Sequence, residues 1–356
     1  MDMVSNTELV VTTTADGLTE TGLPPAFGGQ MPKGIKQLRN VIQQAMDAWL
    51  AKTESERTKR AYRQDVEQFL DYLGIDPTHI EHMTRVLPQD VSDWRDELLR
   101  TGGRPDEFGQ PTPGANATVA RKLTSLRSFF SFLQTYGYRG ANPAHPHFVN
   151  TPAVSSEGTT PEIPPSLMVT LLDQPDTDIP DGVRDRAILA AFAYMAIRVD
   201  ELHKINVGNI RRDGEHTIVL IKGKGNSDRK GVIPPVAARA INEWIALADI
   251  ANDKSGPLFR PTMSPRGRGR DGFKRQRLTI RPIQRLVKKY CQAAGIDDAV
   301  SVHSLRVTAA TEADRAGVSL KHIQKWLGHK DPRTTERYIR TGQDLDRSPA
   351  YVLHYG

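Results

Sequence analysis

The 356-residue sequence predicts a mainly α-helical chain with a small β-sheet or hairpin in its C-terminal domain, divided into two domains. Three observations carry this prediction. Apolar residues recur at helical spacing through both halves of the chain. A stretch dense in proline among Ser, Thr and Gly, from about Asn142 to Pro165, interrupts that pattern. Two short runs, Thr217–Ile221 and Gly231–Pro234, flank the turn-forming Gly223-Lys224-Gly225-Asn226 and read as one β-hairpin. The length agrees, since one ordinary core does not serve so long a chain.

Taken in order, residues 1–37 are rich in Thr, Gly and Pro without an apolar period and read as a flexible arm. Residues 38–141 read as a helical bundle. Val41, Ala45, Ala48 and Trp49 share a face, as do Tyr62, Val66, Phe69, Leu70 and Leu73 before Gly74. A third helix spans Val91 to Leu99, and a fourth runs from Val119 to Leu133 with Leu123, Leu126, Phe129 and Phe130 on one side. The linker, residues 142–165, follows. Residues 166–340 form the second domain, helical at Leu167 and from Arg186 to Ala196, then the hairpin, then helical to about Ile339; residues 341–356 are a tail.

Composition narrows the function. Hydrophobic residues at 38% and charged residues at 25% fit a globular protein, and no apolar run approaches the roughly 18 residues that span a bilayer. Met1 to Lys36 lacks the basic start and apolar centre of a secretory signal. Cys291 is the only cysteine, which excludes an internal disulfide and a cysteine metal cluster and makes a reducing, cytoplasmic location the expectation. The net charge of +6 is uneven: between Arg260 and Tyr290 eleven Lys and Arg stand against the single acid Asp271. Such a localised excess is what a polyanion-binding face needs. Lys59, Arg60, Arg63, Arg121, Lys122 and Arg127 add a basic surface to the first domain, although taken alone they read as a solvated face.

The chemistry gathers near the C-terminus. His303 and Arg306 lie three apart at a helix start and share a face. Gly317 ends that helix, Ser319 caps the next, Leu320–Leu327, and Gly328-His329 follows. Asp331-Pro332 then makes a turn, and Thr334 or Thr335 caps a short helix carrying Tyr338. Phosphodiester displacement builds negative charge on non-bridging oxygens, which fixed cations and donors stabilise. Guanidinium groups match two phosphate oxygens at once. A tyrosine, with its ordinary pKa of about 10, needs such surroundings to attack. Each residue alone has a bland reading as surface, core or packing; the ordered set carries the signal. The two histidines lack the partners of a zinc site, and no metal site is expected.

His303-x-x-Arg306, Leu327-Gly328-His329 and Tyr338 resemble the C-terminal signature of the tyrosine recombinase (phage integrase) family. The resemblance extends upstream. Ala196-Ile197-Arg198-Val199-Asp200-Glu201-Leu202 is similar to a motif that carries the family's first arginine, with Ala196 in place of the usual glycine, and Gly223-Lys224-Gly225-Asn226 is similar to its lysine hairpin. Lys222 and Lys230 compete with Lys224, whose glycine flanks favour it. The family implies a two-domain clamp, a helical core DNA-binding domain plus a mixed α/β catalytic domain.

The resemblance further implies a site-specific recombinase. In it Tyr338 attacks a phosphate to give a 3′-phosphotyrosyl link, Lys224 protonates the leaving 5′ oxygen, Arg198, Arg306 and His329 hold the phosphate, and His303 acts as base or hydrogen-bonding partner. Glu201 is expected to orient a neighbour or cap a buried charge. Neither cofactor nor metal is implied, in keeping with the lack of a Gly-x-x-x-x-Gly-Lys-Ser/Thr loop. The implied partners are double-stranded DNA with paired inverted repeats and a homotetramer on synapsed DNA, with Tyr351, Val352 and Leu353 of the tail docking on a neighbour. The loop of Arg266, Arg268 and Arg270 either inserts in a groove or, the favoured reading, follows the DNA backbone, and Lys274 and Arg275 are further expected DNA contacts. A type IB topoisomerase-like relaxing enzyme and a non-catalytic DNA-binding regulator on the same fold are the alternatives.

Overall fold

The structure, a computed structural model, describes residues 44–75, 83, 85–154, 160–223, 228–263 and 271–339. The arm 1–37, the expected helical residue Val41, Lys224, Arg266, Arg268, Arg270 and the tail 341–356 lie outside these residues. The chain divides into two compact units, Met1–Val154 and Ser155–Gly356. Five of the described helices begin on proline, whose fixed φ suits the first helical position and whose missing N–H costs nothing there.

The first unit is helical at residues 44–51, then in α1 (Glu56–Tyr72), α2 (Pro88–Thr101) and α3 (Asn116–Thr135). Ser55 caps α1 by accepting from the Thr58 N–H at 3.3 Å. The helices bury one stripe each, Val66, Phe69 and Leu70 against Val91, Trp94 and Leu98 and against Leu123, Leu126, Phe129 and Phe130. Phe69 meets Trp94 edge to face at 5.2 Å, and the Trp49 indole donates to Ser128 Oγ at 3.0 Å, so the large rings fix the packing. Asp65, buried on α1, accepts from Arg121 and from Ser125 Oγ (2.7 Å), both on α3.

The stretch expected to be linker from residue 142 is folded onto this unit as far as residue 154. Ala144 and Val149 are fully buried, and Arg127 donates to Ala144 O (2.8 Å), Val149 O (2.7 Å) and Thr151 Oγ1 (2.7 Å). Prolines stop this segment from forming a helix, and one guanidinium satisfies the carbonyls a helix would have paired. Composition signalled the absence of regular structure, not the absence of packing.

The second unit contains α4 (Pro165–Asp173), α5 (Pro180–Met195), α6 (Val199–Lys204), β1 (Ile210–Asp213), β2 (His216–Ile221), β3 (Arg229–Ile233), α7 (Pro235–Leu247), α8 (Ile280–Ala293), α9 (Val302–Arg315), α10 (Leu320–Leu327) and α11 (Pro332–Glu336). The sheet is antiparallel in the order β1-β2-β3, with Val219 opposite both Ile210 and Gly231. The hairpin was legible; β1 was not, because Arg211, Arg212 and Asp213 are all exposed and show no alternation. Helix α5 is the centre of the unit, its Ala187–Phe192 run buried on every side. Trp244 of α7 is fully buried beside it and donates its indole N–H to Leu258 O at 2.8 Å. Among the described residues no helix is long and apolar enough to cross a membrane.

Trp244→Ala removes this ring and orphans the Leu258 carbonyl, and is expected to destabilise the second unit by roughly 3–5 kcal/mol. Hydrogen exchange followed by mass spectrometry checks it: protection should fall in α5 and α7 and stay unchanged in α1 to α3.

Candidate active site

The site is built where three helix ends meet. At the start of α9, Ser301 Oγ accepts from the His303 N–H and the Ser304 hydroxyl accepts from the Ser301 N–H at 3.0 Å, a reciprocal cap that fixes the first turn. His303 remains exposed on that turn, while Arg306, less than one turn further, is only 1% exposed. Its guanidinium donates to Ala196 O, to Leu327 O (2.5 Å) and to His329 Nε2 (3.1 Å), and its Nε has no hydrogen-bond partner among the described residues.

Both acceptor carbonyls stand at helix C-termini, where carbonyls lack intrahelical partners. Ala196 ends α5 in the left-handed region at φ 45°, ψ 36°, the conformation that explains why a glycine is usual at this place in the motif. Leu327 is the last residue of α10, and Gly328 follows at φ +66°. A Cβ at Gly328 would lie 2.8 Å from Arg229 Nε, so a side chain there is strained by conformation and would also displace Arg229. The Leu327 carbonyl also accepts from Arg198 Nη1 at 3.4 Å, which places the two arginines on one oxygen.

Arg198 caps the start of α6 and is held by Glu201. That carboxylate, 8% exposed, accepts from Arg198 Nη1 (2.8 Å), the Arg198 N–H (3.0 Å) and Arg229 Nη2 (2.8 Å). Glu201 therefore orients a neighbour and neutralises buried charge together. Arg229, on β3 opposite Ile221, is absent from the sequence-predicted set: a charged residue opening a strand carries no periodic signal, and only its place just after Gly-Lys-Gly-Asn could have drawn attention to it. Lys224 belongs to the β2–β3 connection, outside the described residues.

Tyr338 is expected on a short helix capped by Thr334 or Thr335; the structure differs. Asp331 caps α11 by accepting from the Arg333 N–H at 3.0 Å, because a carboxylate one residue before proline is better placed than a threonine inside the turn. Tyr338 lies two residues beyond the helix. Its N–H donates to Thr335 O (2.9 Å) and its carbonyl accepts from Thr311 Oγ1 (3.0 Å). Its half-buried ring packs with Trp326 against Ala196, Ala310, Ile323 and Leu327. The ring centre is 5.0 Å from that of His303, 4.8 Å from that of His329 and 5.7 Å from Arg306 Cζ. His329, itself buried, makes its second contact through Nδ1 to Thr335 Oγ1 at 3.0 Å.

The electrostatics are those of a cationic centre, three guanidiniums around the single carboxylate of Glu201. Burial, followed by the field of Arg198, lowers Arg306 to about 10, still charged at neutral pH. Burial, then Arg306 and Arg198, lowers His329 to about 4, and the same causes lower His303. A cleft beside them is lined by Arg198, Asp200, Ser301, His303 and Arg306.

Arg198, His303, Arg306, His329 and Tyr338 thus come together, with Glu201 behind them. The candidate DNA-contacting residues are more scattered. Arg60 and Lys274 are exposed; Lys59 pairs with Glu56 (2.7 Å), Arg63 with Asp47 (2.6 Å) and Arg275 with Asp253 (2.8 Å). Arg121 pairs with Asp65, and Lys122 bonds Gln68 with Asp65 at 3.9 Å. Arg127 is committed to the internal carbonyls described above.

Residues 163–344 match the phage integrase family, and residues 46–137 match the phage integrase N-terminal SAM-like domain. The chain belongs to the phage integrase family. Tyrosine recombinase XerC of Thermodesulfovibrio yellowstonii is 30% identical over 299 residues, covering 81% of this chain and 87% of that protein. Tyrosine recombinase XerD of Haemophilus influenzae is 26% identical over 304 residues, covering 83% and 91%. The two-unit fold, mainly helical with one small sheet, is that of solved tyrosine recombinases. It is similar to XerH bound to palindromic difH substrate (TM-score 0.62, 16% identity, 90% and 85% of the two chains). It is also similar to a lambda integrase dimer bound to a COC′ core site (TM-score 0.59, 13% identity, 83% and 93%).

For this phage integrase family member, Glu201→Ala leaves Arg229 buried without its carboxylate and is expected to cost roughly 3 kcal/mol, read from the denaturation midpoint of the second unit. The pH dependence has a definite sign. The folded pKa of His329 lies near 4, below its ordinary 6.5, so the unfolded chain binds the proton first and stability falls as pH drops from about 6.5 towards 4. The loss, about 2–3 kcal/mol by linkage, should be absent from His329→Gln when the two stability profiles are subtracted.

Proposed function

We propose that this chain is a site-specific DNA recombinase whose nucleophile is Tyr338, with Arg198, Lys224, His303, Arg306 and His329 completing the site. One observation carries the assignment of residues: Arg198, His303 and Arg306 line one cleft, and the Tyr338 ring lies 5.0 Å from the His303 ring and 5.7 Å from the Arg306 guanidinium. Guanidinium groups fixed beside a phenol suit an anionic phosphate, whose oxygens they match with charge-assisted hydrogen bonds. The family places this chain among proteins named tyrosine recombinases, and its relatives in solved complexes are bound to DNA.

The proposed step balances as a transesterification. Tyr338 Oη forms a bond to phosphorus, its proton passing to His303, while the bond from phosphorus to the 5′ oxygen breaks and that oxygen takes a proton from Lys224. The diester charge is kept, now as a 3′-phosphotyrosyl link. A 5′ hydroxyl from a partner duplex reverses the step. Bond energy is stored in the link, so rejoining requires no external energy source. Burial and the neighbouring guanidiniums lower the pKa of His303, which keeps the ring neutral and so able to accept a proton at neutral pH.

Arg60, Lys274 and the other surface cations would contact phosphates, giving affinity that falls steeply with salt. Strand exchange between two duplexes calls for a homotetramer on paired inverted-repeat sites, in a cytoplasmic, DNA-associated setting. Lys224 and the basic loop of Arg266, Arg268 and Arg270 would reach the DNA from the two connections that carry them.

The test incubates full-length wild type and Tyr338→Phe with nicked duplexes cut from the DNA flanking the gene. Wild type should form a denaturant-resistant protein–DNA band and Tyr338→Phe none, a loss of at least about a thousandfold. An equal band from both, or none from wild type on any flanking segment, overturns the assignment. Relaxed supercoiled plasmid without recombinant products would instead make the chain a relaxing enzyme.

A further inference from the structure

We propose that Thr311 is a positioning residue for the nucleophile: its hydroxyl anchors the main-chain carbonyl of Tyr338 to helix α9, the helix that also carries His303 and Arg306. The inference rests on the role given above to Tyr338 and says what holds that residue in its seat.

The need for an anchor follows from the local structure. Helix α11 is five residues long, far below the roughly 12–15 that a helix needs to persist without outside contacts. Tyr338 lies two residues past its end. The bonds from the Tyr338 N–H to Thr335 O (2.9 Å) and from the Ile339 N–H to Glu336 O (3.2 Å) stay within that same turn and tie it to nothing else. Thr311 reaches across from α9, 27 residues away in the chain, and donates from Oγ1 to Tyr338 O at 3.0 Å.

That donation replaces an ordinary one. A threonine inside a helix commonly turns its hydroxyl back on the carbonyl four residues earlier. Thr308, on the same helix, does so, donating to Ser304 O at 2.9 Å. Thr311 has one proton to give and gives it to Tyr338. It is fully buried, as is Ala310 beside it, which belongs to the cluster that receives the tyrosine ring. Consecutive residues of α9 therefore hold the backbone and the ring of the nucleophile. Arg306 precedes Thr311 by five positions, about 7.5 Å along the helix axis, so one rigid rod sets the spacing between guanidinium and tyrosine. The anchor engages the main chain only, which leaves the phenol oxygen for attack.

The test compares full-length wild type with Thr311→Val, which keeps the shape without a proton to donate, and Thr311→Ser, which keeps the donor. By hydrogen exchange and mass spectrometry, residues 333–339 should be protected in wild type, lose protection in Thr311→Val and regain it in Thr311→Ser, while α9 stays protected in all three. Adduct formation on the nicked duplex at saturating DNA should slow about tenfold in Thr311→Val, the loss expected from one neutral hydrogen bond, with the half-saturating DNA concentration unchanged. Thr311→Ser should recover the rate. A Thr311→Val that forms adduct at or above the wild-type rate overturns the proposal, and so does a Thr311→Ser as slow as Thr311→Val. Unprotected amides at 333–339 in wild type overturn it even where a variant fails to fold, and Thr311→Ala then replaces Thr311→Val. If wild type forms no adduct while the exchange pattern holds, the fault lies in the proposed reaction and the anchor stands.

Discussion

The second unit is organised around a charge taken out of water. Desolvating a guanidinium costs several kcal/mol unless good partners surround it, and among the described residues no carboxylate hydrogen-bonds Arg306. The partners are instead the carbonyl ends of two helices, α5 at Ala196 and α10 at Leu327, whose aligned peptide dipoles present partial negative charge. Those carbonyls have no intrahelical hydrogen-bond partner of their own, so each group solves the other's problem. The arrangement forces both helices to end at one point, and it is this requirement that sets the left-handed turns at Ala196 and Gly328.

Around that point a single carboxylate serves two more cations. Glu201 faces Arg198 and Arg229 with separate oxygens, leaving the cluster of three guanidiniums and two imidazoles with a net positive field. A centre so unbalanced is stable only while the imidazoles remain neutral, and it is selective for whatever supplies negative charge. The tyrosine ring sits among these groups, held at both its N–H and its carbonyl, close to the field but not part of its cost.

Much of this was legible because the chemistry is written in residue types at fixed spacing. His303 and Arg306 share a helix face, and glycine after Leu327 marks a stop, so spacing alone suffices to place those residues. What escaped was whatever depends on a hydrogen bond between distant side chains. Thr335 reads as a helix cap, yet its hydroxyl points inward to an imidazole and Asp331 does the capping. Arg127 reads as surface charge, yet it stitches down a proline-interrupted segment. Strand β1 has no alternating pattern, since its pairing with β2 is made by backbone alone.

The packing of Trp326 beside Tyr338 has an optical consequence. Of the four tryptophans in the chain, Trp49, Trp94 and Trp244 sit in the two large cores, while Trp326 is partly buried in the small cluster that seats the tyrosine ring. Its indole emission therefore reports the polarity of that seat alone. With the other three replaced by phenylalanine, the protein would carry an intrinsic fluorophore that registers departure of the tyrosine from its seat without an attached dye.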